Sequence, residues 1–361
     1  MHLVVTGGAG FLGQQCIARL LQMDALRLEP APARRITAIT AFDVVPGDLE
    51  DPRLRYCCGD IADPHQVSAL LREDTAAVIH LAAVVSGTAE ADFDLGLRVN
   101  LDGTRNLLQA CRARLAMHRG PAEQETSAAA RQGVATRDDR SRPGPVRLLF
   151  SSSIAVFGGR LPEVVTDDTM PTPQGSYGIQ KYMGEQLVQD YTRKGFVDGR
   201  SVRIPTVVVR PGKPNGAASG FASSIIREPL AGRPAVLPVD PETAMWVASP
   251  RAVVRMLLRA LELAPERWGW HRAINLPGLT VTMREEMAAL RAAAGEGPLG
   301  RIETRVDPAV VRLVQTWAAR FDTARASAMG LEADRDFAAI LSAYMEDHPE
   351  ALHLEPRTAA L

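Results

Sequence analysis

The first 210 residues alternate short apolar runs, rich in β-branched residues, with stretches of helical periodicity. Continuous apolar runs predict strands buried on both faces, and the amphipathic segments between them predict the helices that cover those faces. The pattern therefore favours an α/β fold with a doubly wound parallel sheet. The predicted strands cover residues 2–6, 36–43, 53–57, 76–83, 146–153 and 201–210.

Two parts of the chain depart from this alternation. Residues 116–145 have only Met117 and Val134 as sizeable apolar side chains, too few to offset the entropy of ordering, which predicts a flexible surface insertion. Beyond Pro211, glycine and proline become frequent, which predicts a smaller irregular α/β lobe. The predicted organisation is a sheet domain over 1–210, a mainly substrate-binding lobe over 211–348 and a C-terminal tail over 349–361, and the stretch 245–275 is expected to return to the sheet domain. Helices are predicted in the second half near 250–263, 282–293, 307–318 and 333–345.

The charge balance narrows the class of protein. With 41 basic and 42 acidic residues in 361, the chain has no net charge that would attract nucleic acid or anionic lipid, so neither partner is expected. No apolar run approaches the roughly 18–20 residues that a membrane span requires, and the N-terminal stretch has no signal-peptide pattern. The cysteines have no disulfide or metal-ligand spacing, which predicts a cytoplasmic protein without a metal site. They are Cys16, Cys57, Cys58 and Cys111.

A glycine-rich stretch, "GGAGFLG", follows the first predicted strand and opens a helix. In this context Gly7 permits a tight turn, Gly10 allows a pyrophosphate to approach the backbone, and Gly13 lets helix and strand pack closely. The helix begins at Phe11 and Leu12, where free amides and the positive end of the helix dipole favour phosphate. The stretch therefore predicts a dinucleotide site.

An acidic residue, Asp43, ends the second long predicted strand. A carboxylate there accepts hydrogen bonds from the adenosine ribose and repels a 2′-phosphate, and Val44 and Val45 follow instead of an arginine. This argues for NAD over NADP as the cofactor. Asp43 lies 30 residues after Gly13, further than the usual ~20, and we expect an extended helix end and a loop between them.

Two further stretches are expected to line the cofactor. In "CGDIAD", Asp60 and Ile61 follow the third long strand, where an adenine ring would lie in such a fold; a simple polar turn is the alternative. In "HLAA", the predicted fourth strand ends with Leu81, Ala82 and Ala83. The two alanines are small enough for a cofactor to lie against the backbone.

A tyrosine and a lysine in "SYGIQKYMGE" are four residues apart, so Tyr177 and Lys181 lie on one face of a helix. Ser153, at the end of the preceding strand, is expected at the same edge of the sheet. A free phenol titrates near 10, and a neighbouring ammonium, together with the positive charge of the cofactor, is expected to lower the pKa of Tyr177 towards the working range of a base. Ser153 can then hold the oxygen of a substrate hydroxyl, which predicts an oxidoreductase.

The motifs "TGGAGFLG", "GDI", "HLAA", "VNLDGT" and "YGIQK" together resemble the extended short-chain dehydrogenase/reductase family, over about residues 1–275. The resemblance implies a Rossmann-type sheet, bound NAD or NADP, and catalysis by Ser153, Tyr177 and Lys181. It also implies that Asn100 lies in a helix near the cofactor. Members commonly dimerise through the helices that start here near Leu95 and Ser176, so a homodimer is expected.

The branch of the family depends on "VVRPGKPN", where Lys213 stands in place of the asparagine usual in nucleotide-sugar enzymes. A lysine in the pocket suits a carboxylate, although a solvent-facing Lys213 remains the alternative. Longer phrases such as "SYGIQKYMGEQLVQDYTRKGFVDGR" resemble dehydrogenases that oxidise the C2 hydroxyl of a four-carbon sugar acid with NAD. Ser86, Lys213 and Asn215, with Ser153 and Tyr177, are the candidate substrate contacts. A nucleotide-sugar 4-epimerase with tightly bound NAD is the alternative function.

Overall fold

The computed structural model describes residues 1–118, 144–212 and 218–353. Residues 116–118 of the predicted insertion belong to a helix, and the insertion otherwise lies almost wholly outside the described residues, as does most of the predicted tail. The strands are β1 (His2–Thr6), β2 (Ala25–Leu26), β3 (Arg34–Arg35), β4 (Ala38–Asp43), β5 (Leu54–Cys58), β6 (Thr75–His80), β7 (Val146–Ser153), β8 (Val197–Ile204), β9 (Thr206–Val207), β10 (Ala235–Leu237), β11 (Ala244–Ala248), β12 (Ala273–Asn275), β13 (Leu279–Thr282) and β14 (Ile302–Thr304).

Helices alternate with these strands through the first half and cluster in the second. They are α1 (Phe11–Leu21), α2 (Pro64–Ser68), α3 (Ser86–Ala91), α4 (Phe93–Gly96), α5 (Gly103–His118), α6 (Ser176–Arg193), α7 (Gly220–Leu230), α8 (Pro250–Glu262), α9 (Pro265–Trp268), α10 (Met283–Ala294), α11 (Glu296–Leu299), α12 (Pro308–Val314), α13 (Ala324–Ala328) and α14 (Phe337–Asp347). A π-helical stretch, Leu97–Asp102, leads into α5, and short 3₁₀ turns cover Ile154–Val156 and Pro349–Ala351.

Seven parallel strands form the central sheet in the order β12-β8-β7-β6-β1-β4-β5. The strand order reverses direction between β1 and β6, which makes the crevice above their carboxyl ends the expected ligand site of an open α/β sheet. The predicted fold class, α/β with a doubly wound parallel sheet, is confirmed.

The apolar strand runs explain this arrangement. All five residues of β1 are buried, and so are the first seven of the eight residues of β7, because helices cover the sheet on both faces. On one face, Ile17 and Leu20 of α1 pack in the same core cluster as Leu257 and Leu261 of α8. On the other face, core residues of α5 such as Leu107 pack against the inner strands.

Several predicted boundaries differ from the structure. The strand predicted at 201–210 starts earlier, at Val197, and divides at Pro205 into β8 of the central sheet and β9 of a separate three-stranded sheet with β11 and β13. Proline has no amide hydrogen for a ladder, which accounts for the division. The stretch before β4 forms the small β2–β3 ribbon rather than an extended helix end, and the helix predicted at 307–318 is shorter, α12.

The second half of the chain has its own apolar cluster. Residues of α7, α10 and α14, including Ile225, Leu290 and Ile340, pack together beside the small sheet. Within the stretch 245–275, residues of α8 belong to the same apolar cluster as residues of the central sheet, and β12 pairs with β8. Met329, farther along the chain, belongs to that cluster as well. The division into a sheet domain and a lobe stays a prediction. No helix within the described ranges is long and apolar enough to cross a membrane.

Candidate active site

The glycine loop connects β1 to α1 at the reversal point of the sheet. Gly7 has a φ of 70°, and a Cβ atom there would lie 2.7 Å from the amide nitrogen of Ala82. A Cβ atom at Gly13 would overlap the carbonyl oxygen of Gly7. Both positions therefore require glycine, one for its backbone conformation and both for close packing. Gly10 is less constrained, because a Cβ atom there would lie 3.2 Å from its nearest neighbour, the carbonyl oxygen of Gly7.

The first turn of α1 is open to a ligand. Its N-cap residue, Gly10, has no side chain that could accept hydrogen bonds from the helix amides. The amides of Phe11, Leu12 and Gly13 begin the helix and have no intrahelical acceptors. Such a helix start attracts phosphate through its amide donors and its dipole. The sequence prediction of a pyrophosphate cradle is compatible with this geometry.

Asp43 ends β4 directly beside the loop. Its Oδ2 accepts a hydrogen bond from the Ala9 amide at 3.0 Å, and its Oδ1 accepts one from the Val44 amide at 2.8 Å. The carboxylate is half-buried and couples the glycine loop to the strand end. Val44 and Val45 are exposed by 71% and 55%, so the stretch directly after Asp43 offers apolar contacts and no cation.

The other predicted cofactor residues follow neighbouring strands. Leu81, Ala82 and Ala83 were predicted to end the strand over 76–83, but β6 ends at His80 and these three residues lie just after it. Asp60 forms an exposed ion pair with Arg98 at 2.8 Å, and Ile61 is buried. The Leu81 amide donates to the Thr6 carbonyl oxygen at 3.0 Å, which brings the segment from Leu81 to Ala83 against the end of β1. The pair Asp60 and Ile61 and the segment from Leu81 to Ala83 are thus both at the carboxyl edge of the sheet.

Ser153, Tyr177 and Lys181 meet at the same edge. The Lys181 ammonium lies 5.7 Å from the centroid of the Tyr177 ring, as expected from their spacing on α6. Its Nζ donates to the Ser151 carbonyl oxygen at 2.8 Å, and the side chain is buried. The Ser153 hydroxyl accepts from the Ala155 amide at 3.1 Å, and Ser153 favours the charged form of Tyr177, which lowers the Tyr177 pKa.

Burial shifts the pKa values of Tyr177 and Lys181. Burial raises the pKa of Tyr177 above its ordinary value, whereas Arg210 and the hydrogen bond from Ser153 oppose that shift. Burial also lowers the pKa of Lys181 to about 7. The lowering expected from Lys181 together with the positive charge of the cofactor stays a prediction. At Tyr177 desolvation outweighs the opposing effects of Arg210 and Ser153, because burial disfavours the charged form.

Asn100 lies within the π-helical stretch and is buried. Its Oδ1 accepts from the Val84 amide at 2.9 Å, and its Nδ2 donates to Gln180 Oε1 of α6 at 2.8 Å. The side chain thus links the loop after β6 to the helix that carries Tyr177. Irregular helical turns of this kind are frequent at functional sites.

A buried ion pair links β8 to α6, the helix that carries Tyr177. Arg203 of β8 donates from Nε and Nη2 to the two oxygens of Glu185 on α6, at 2.9 and 2.8 Å. Ser152, next to Ser153, donates its hydroxyl to Glu185 Oε1 at 2.5 Å. The N-terminus of α6 has a partner as well, because the Ser176 amide donates to Glu90 Oε2 at 2.9 Å. The sequence analysis missed all of these contacts.

The candidate substrate residues are only partly described. Ser86 begins α3, and its hydroxyl accepts from the Ala218 amide at 3.4 Å, so the two halves of the chain meet beside it. Lys213 and Asn215 lie outside the described residues. Arg210, which was not predicted from the sequence, carries a positive charge that opposes the rise of the Tyr177 pKa caused by burial. Its position just after the β8–β9 strand region was the available signal.

A cavity of about 650 Å³ lies elsewhere, at the opposite edge of the central sheet. It is lined by residues that precede the sheet strands, including Asp74 before β6 and Pro145 before β7. The predicted dinucleotide and catalytic residues are at the carboxyl edge instead, so this cavity is separate from the candidate active site.

Comparison with known proteins agrees with this geometry. A family model described as the NAD dependent epimerase/dehydratase family matches residues 3–267. The chain is 48% identical over 348 residues to a D-erythronate dehydrogenase of Cupriavidus necator, with 96% of this chain and 98% of that protein covered. It is 40% identical over 350 residues to a D-erythronate dehydrogenase of Haemophilus influenzae, with 96% and 99% covered.

A solved structure has the same architecture. The nucleoside-diphosphate-sugar epimerase from Agrobacterium tumefaciens superimposes with a TM-score of 0.83 at 36% identity, covering 97% of this chain and 95% of that one. The fold and the comparisons define an NAD-dependent enzyme of the oxidoreductase type. The chain belongs to the NAD dependent epimerase/dehydratase family, as the resemblance in its motifs implied.

Proposed function

We propose that this protein oxidises the C2 hydroxyl of D-erythronate to a ketone, giving 2-keto-D-erythronate, with reduction of NAD to NADH. The observation that carries the proposal is the 48% identity to a D-erythronate dehydrogenase across 96% of the chain. That match extends through the C-terminal half, which we expect to hold most of the substrate-specific contacts, and not only through the nucleotide-binding half.

The protein's own residues fit the cofactor. We assign the pyrophosphate to the open first turn of α1 and the adenosine ribose to the Asp43 carboxylate. The residues that follow Asp43 are Val44 and Val45, and neither is a cation that would favour a 2′-phosphate. Asp60, Ile61 and the segment from Leu81 to Ala83 would line the rest of the cofactor. NAD, when bound, supplies the acceptor for the hydride that leaves C2 and a positive charge on its nicotinamide ring.

The remaining chemistry belongs to three side chains. Tyr177, as the phenolate, takes the proton of the C2 hydroxyl while the C–H bond breaks and a C=O bond forms. Ser153 holds the reacting oxygen through its hydroxyl. Lys181, whose Nζ is held by the Ser151 carbonyl oxygen, provides a cation beside Tyr177 and a donor for the nicotinamide ribose. Because burial raises the pKa of Tyr177 in the protein alone, formation of the phenolate depends on added positive charge.

The second candidate function is a nucleotide-sugar 4-epimerase that retains its NAD. It is favoured by the structural likeness, at 36% identity, to the nucleoside-diphosphate-sugar epimerase. An epimerase regenerates its cofactor in each turnover, whereas a dehydrogenase releases NADH.

The test is the absorbance of NADH with purified protein, NAD and D-erythronate, beside L-threonate and UDP-glucose. We expect NADH in proportion to D-erythronate consumed. Tyr177→Phe is expected to abolish turnover and to retain NAD binding, measured by fluorescence titration. No NADH with either acid, together with conversion of UDP-glucose to its C4 epimer, would replace the proposed function by the epimerase. Substantial activity in Tyr177→Phe would remove this residue as the base.

The proposal includes a homodimer in the cytoplasm. On α6, Ile179 and Met183 are one helical turn apart and 45% and 41% exposed, and nearby Phe93 is 58% exposed. Apolar side chains in such a row suit an interface between two copies. Sedimentation of the purified protein tests the assembly, and a monomer at micromolar concentration would reject it.

A further inference from the structure

Gln14 joins three segments of the chain beside the glycine loop. It lies near the start of α1, and its Nε2 donates to the Gly8 carbonyl oxygen at 2.6 Å and to the Tyr56 hydroxyl of β5 at 2.9 Å. Its Oε1 accepts from the Asp48 amide at 3.3 Å. A primary amide has donors as well as an acceptor, so this one side chain connects the glycine loop, β5 and the loop that follows β4.

The loop after β4, residues 44–49, packs against this pair of side chains. The Leu49 amide donates to the Tyr56 hydroxyl at 3.3 Å. A Cβ atom at Gly47 would overlap Gln14 Nε2 and would lie 2.6 Å from the Tyr56 hydroxyl, so the loop lies directly on both side chains. Each of the two is partly buried, which strengthens their hydrogen bonds relative to exposed ones. Gln14 and Tyr56 therefore hold this loop against the glycine loop.

The position of the loop bears on the adenosine half of the cofactor. Asp43, to which the ribose is assigned, directly precedes the loop, and its Oδ2 accepts from the Ala9 amide of the glycine loop at 3.0 Å. A 2′-phosphate on that ribose needs room and a cation beside the residues that follow the acidic residue. Here those residues are Val44 and Val45, on a loop that is fixed at its far end. A fixed loop without a cation disfavours the phosphate on both counts.

We propose that Gln14 and Tyr56 are a positioning pair that holds the loop after Asp43 beside the adenosine ribose, and that they thereby set the affinity for NAD and the discrimination against NADP. The inference rests on the proposed function only through its assignment of the cofactor site. The pair acts through the loop and not on the reacting atoms, so it should alter cofactor binding and leave the chemical step unchanged. A released loop would contact NAD less well and would give a 2′-phosphate more room.

The test measures cofactor binding without turnover. NADH is titrated by its fluorescence, and NAD and NADP are titrated by displacement of NADH. Gln14→Met keeps the length of the side chain and removes its hydrogen bonds, and we expect it to raise the Kd for NAD about tenfold and to change the Kd for NADP by less than about twofold. Gln22→Met, the same change at the exposed C-terminal end of α1, is the matched control and should alter neither Kd.

A second variant tests whether the two side chains act together. Tyr56→Phe removes one hydroxyl and should raise the Kd for NAD about fivefold. The double variant should weaken NAD by much less than the product of the two single effects, because both changes release the same loop. Independent effects that multiply in the double variant would overturn the idea of a pair.

Steady-state rates separate positioning from a loss of stability. With D-erythronate, Gln14→Met should raise the KM for NAD, whereas kcat and the KM for the acid should stay unchanged; urea unfolding verifies that the variant is folded in the assay. An unchanged Kd for NAD, or equal weakening of NAD and NADP, would overturn the inference. If the unaltered protein binds NAD but does not oxidise D-erythronate, the proposed function is wrong, and the titrations still decide the role of Gln14 and Tyr56.

Discussion

Two helices of this protein each bury a glutamate completely, and their surroundings differ. On α6, beside the candidate active site, Glu185 accepts three hydrogen bonds from Arg203 and Ser152. On α10, in the C-terminal lobe, Glu286 has no hydrogen-bond partner on either oxygen among the described residues. Burial raises the pKa of Glu286 well above its ordinary value of 4.5.

The difference shows where the fold holds its polar groups rigidly. A buried carboxylate is stable only when paired and hydrogen-bonded, and otherwise it takes up a proton. Around α6 the polar groups form a connected network that orients the strand with Ser153 and the helix with Tyr177. In the lobe, Glu286 lies beside an apolar cluster, and its carboxyl oxygens form no hydrogen bond with any described residue. We therefore expect opposite responses when each glutamate is removed.

The largest effect is expected at the paired glutamate. Glu185→Leu leaves the Arg203 guanidinium buried without its counterion, which should lower the free energy of unfolding by about 3–5 kcal/mol. Urea unfolding measures the change. The double variant Glu185→Leu with Arg203→Met should recover most of it, because an apolar pair replaces the whole ion pair. A loss below about 1 kcal/mol in Glu185→Leu would mean that the network does not stabilise this region.

Removal of the unpaired glutamate should stabilise the protein. Glu286→Met is expected to raise the free energy of unfolding by about 2 kcal/mol near pH 7, because an apolar side chain of similar size replaces an unsatisfied carboxyl. The gain has a pH signature. The folded-state pKa of Glu286 is raised, so its contribution to stability is fully present below the unfolded pKa of about 4.5 and is lost as the pH rises towards the folded pKa.

Unfolding of the unaltered protein and Glu286→Met across this pH range checks both points. The advantage of the variant should shrink as the pH falls towards about 4.5. A variant that is less stable than the unaltered protein near neutral pH would show that Glu286 has a compensating partner.

A smaller loss is expected when one hydroxyl leaves the network of α6. Ser152→Ala removes a donor to Glu185 Oε1 but leaves both hydrogen bonds from Arg203, so the free energy of unfolding should fall by about 1.5–2 kcal/mol. Thermal unfolding measures it. Because Ser152 precedes Ser153, kcat for D-erythronate is a useful second readout. An unchanged unfolding temperature would count against the importance of this donor.

The smallest effect is expected at a hydroxyl of the lobe. The Tyr344 hydroxyl on α14 is buried without a hydrogen-bond partner among the described residues. Tyr344→Phe should therefore change the free energy of unfolding by no more than about 0.5 kcal/mol. This variant is the counterpart of Ser152→Ala. A loss as large as that of Ser152→Ala would contradict the contrast between the two regions.

Much of the fold and part of the site could be predicted because they depend on local pattern. The central strands follow from apolar runs and the helices from amphipathic ones, since each element must bury its own apolar face. The spacing of Tyr177 and Lys181 sets their common helix face before any tertiary contact forms. The Pro205 break and the β2–β3 ribbon escaped prediction, because short strands depend on neighbours that periodicity does not reveal.

By itself, then, the sequence determined the alternating elements, the glycine turn that only Gly7 and Gly13 allow, and the Tyr–Lys pair. Only the tertiary structure decided which distant groups meet: Glu185 with Arg203, and Ser86 with Ala218. It also decided how deeply Tyr177 is buried, and burial raises its pKa. The reason is that pairing and desolvation depend on distance and burial in space, which residues far apart along the chain acquire only when the sheet and the lobe come together.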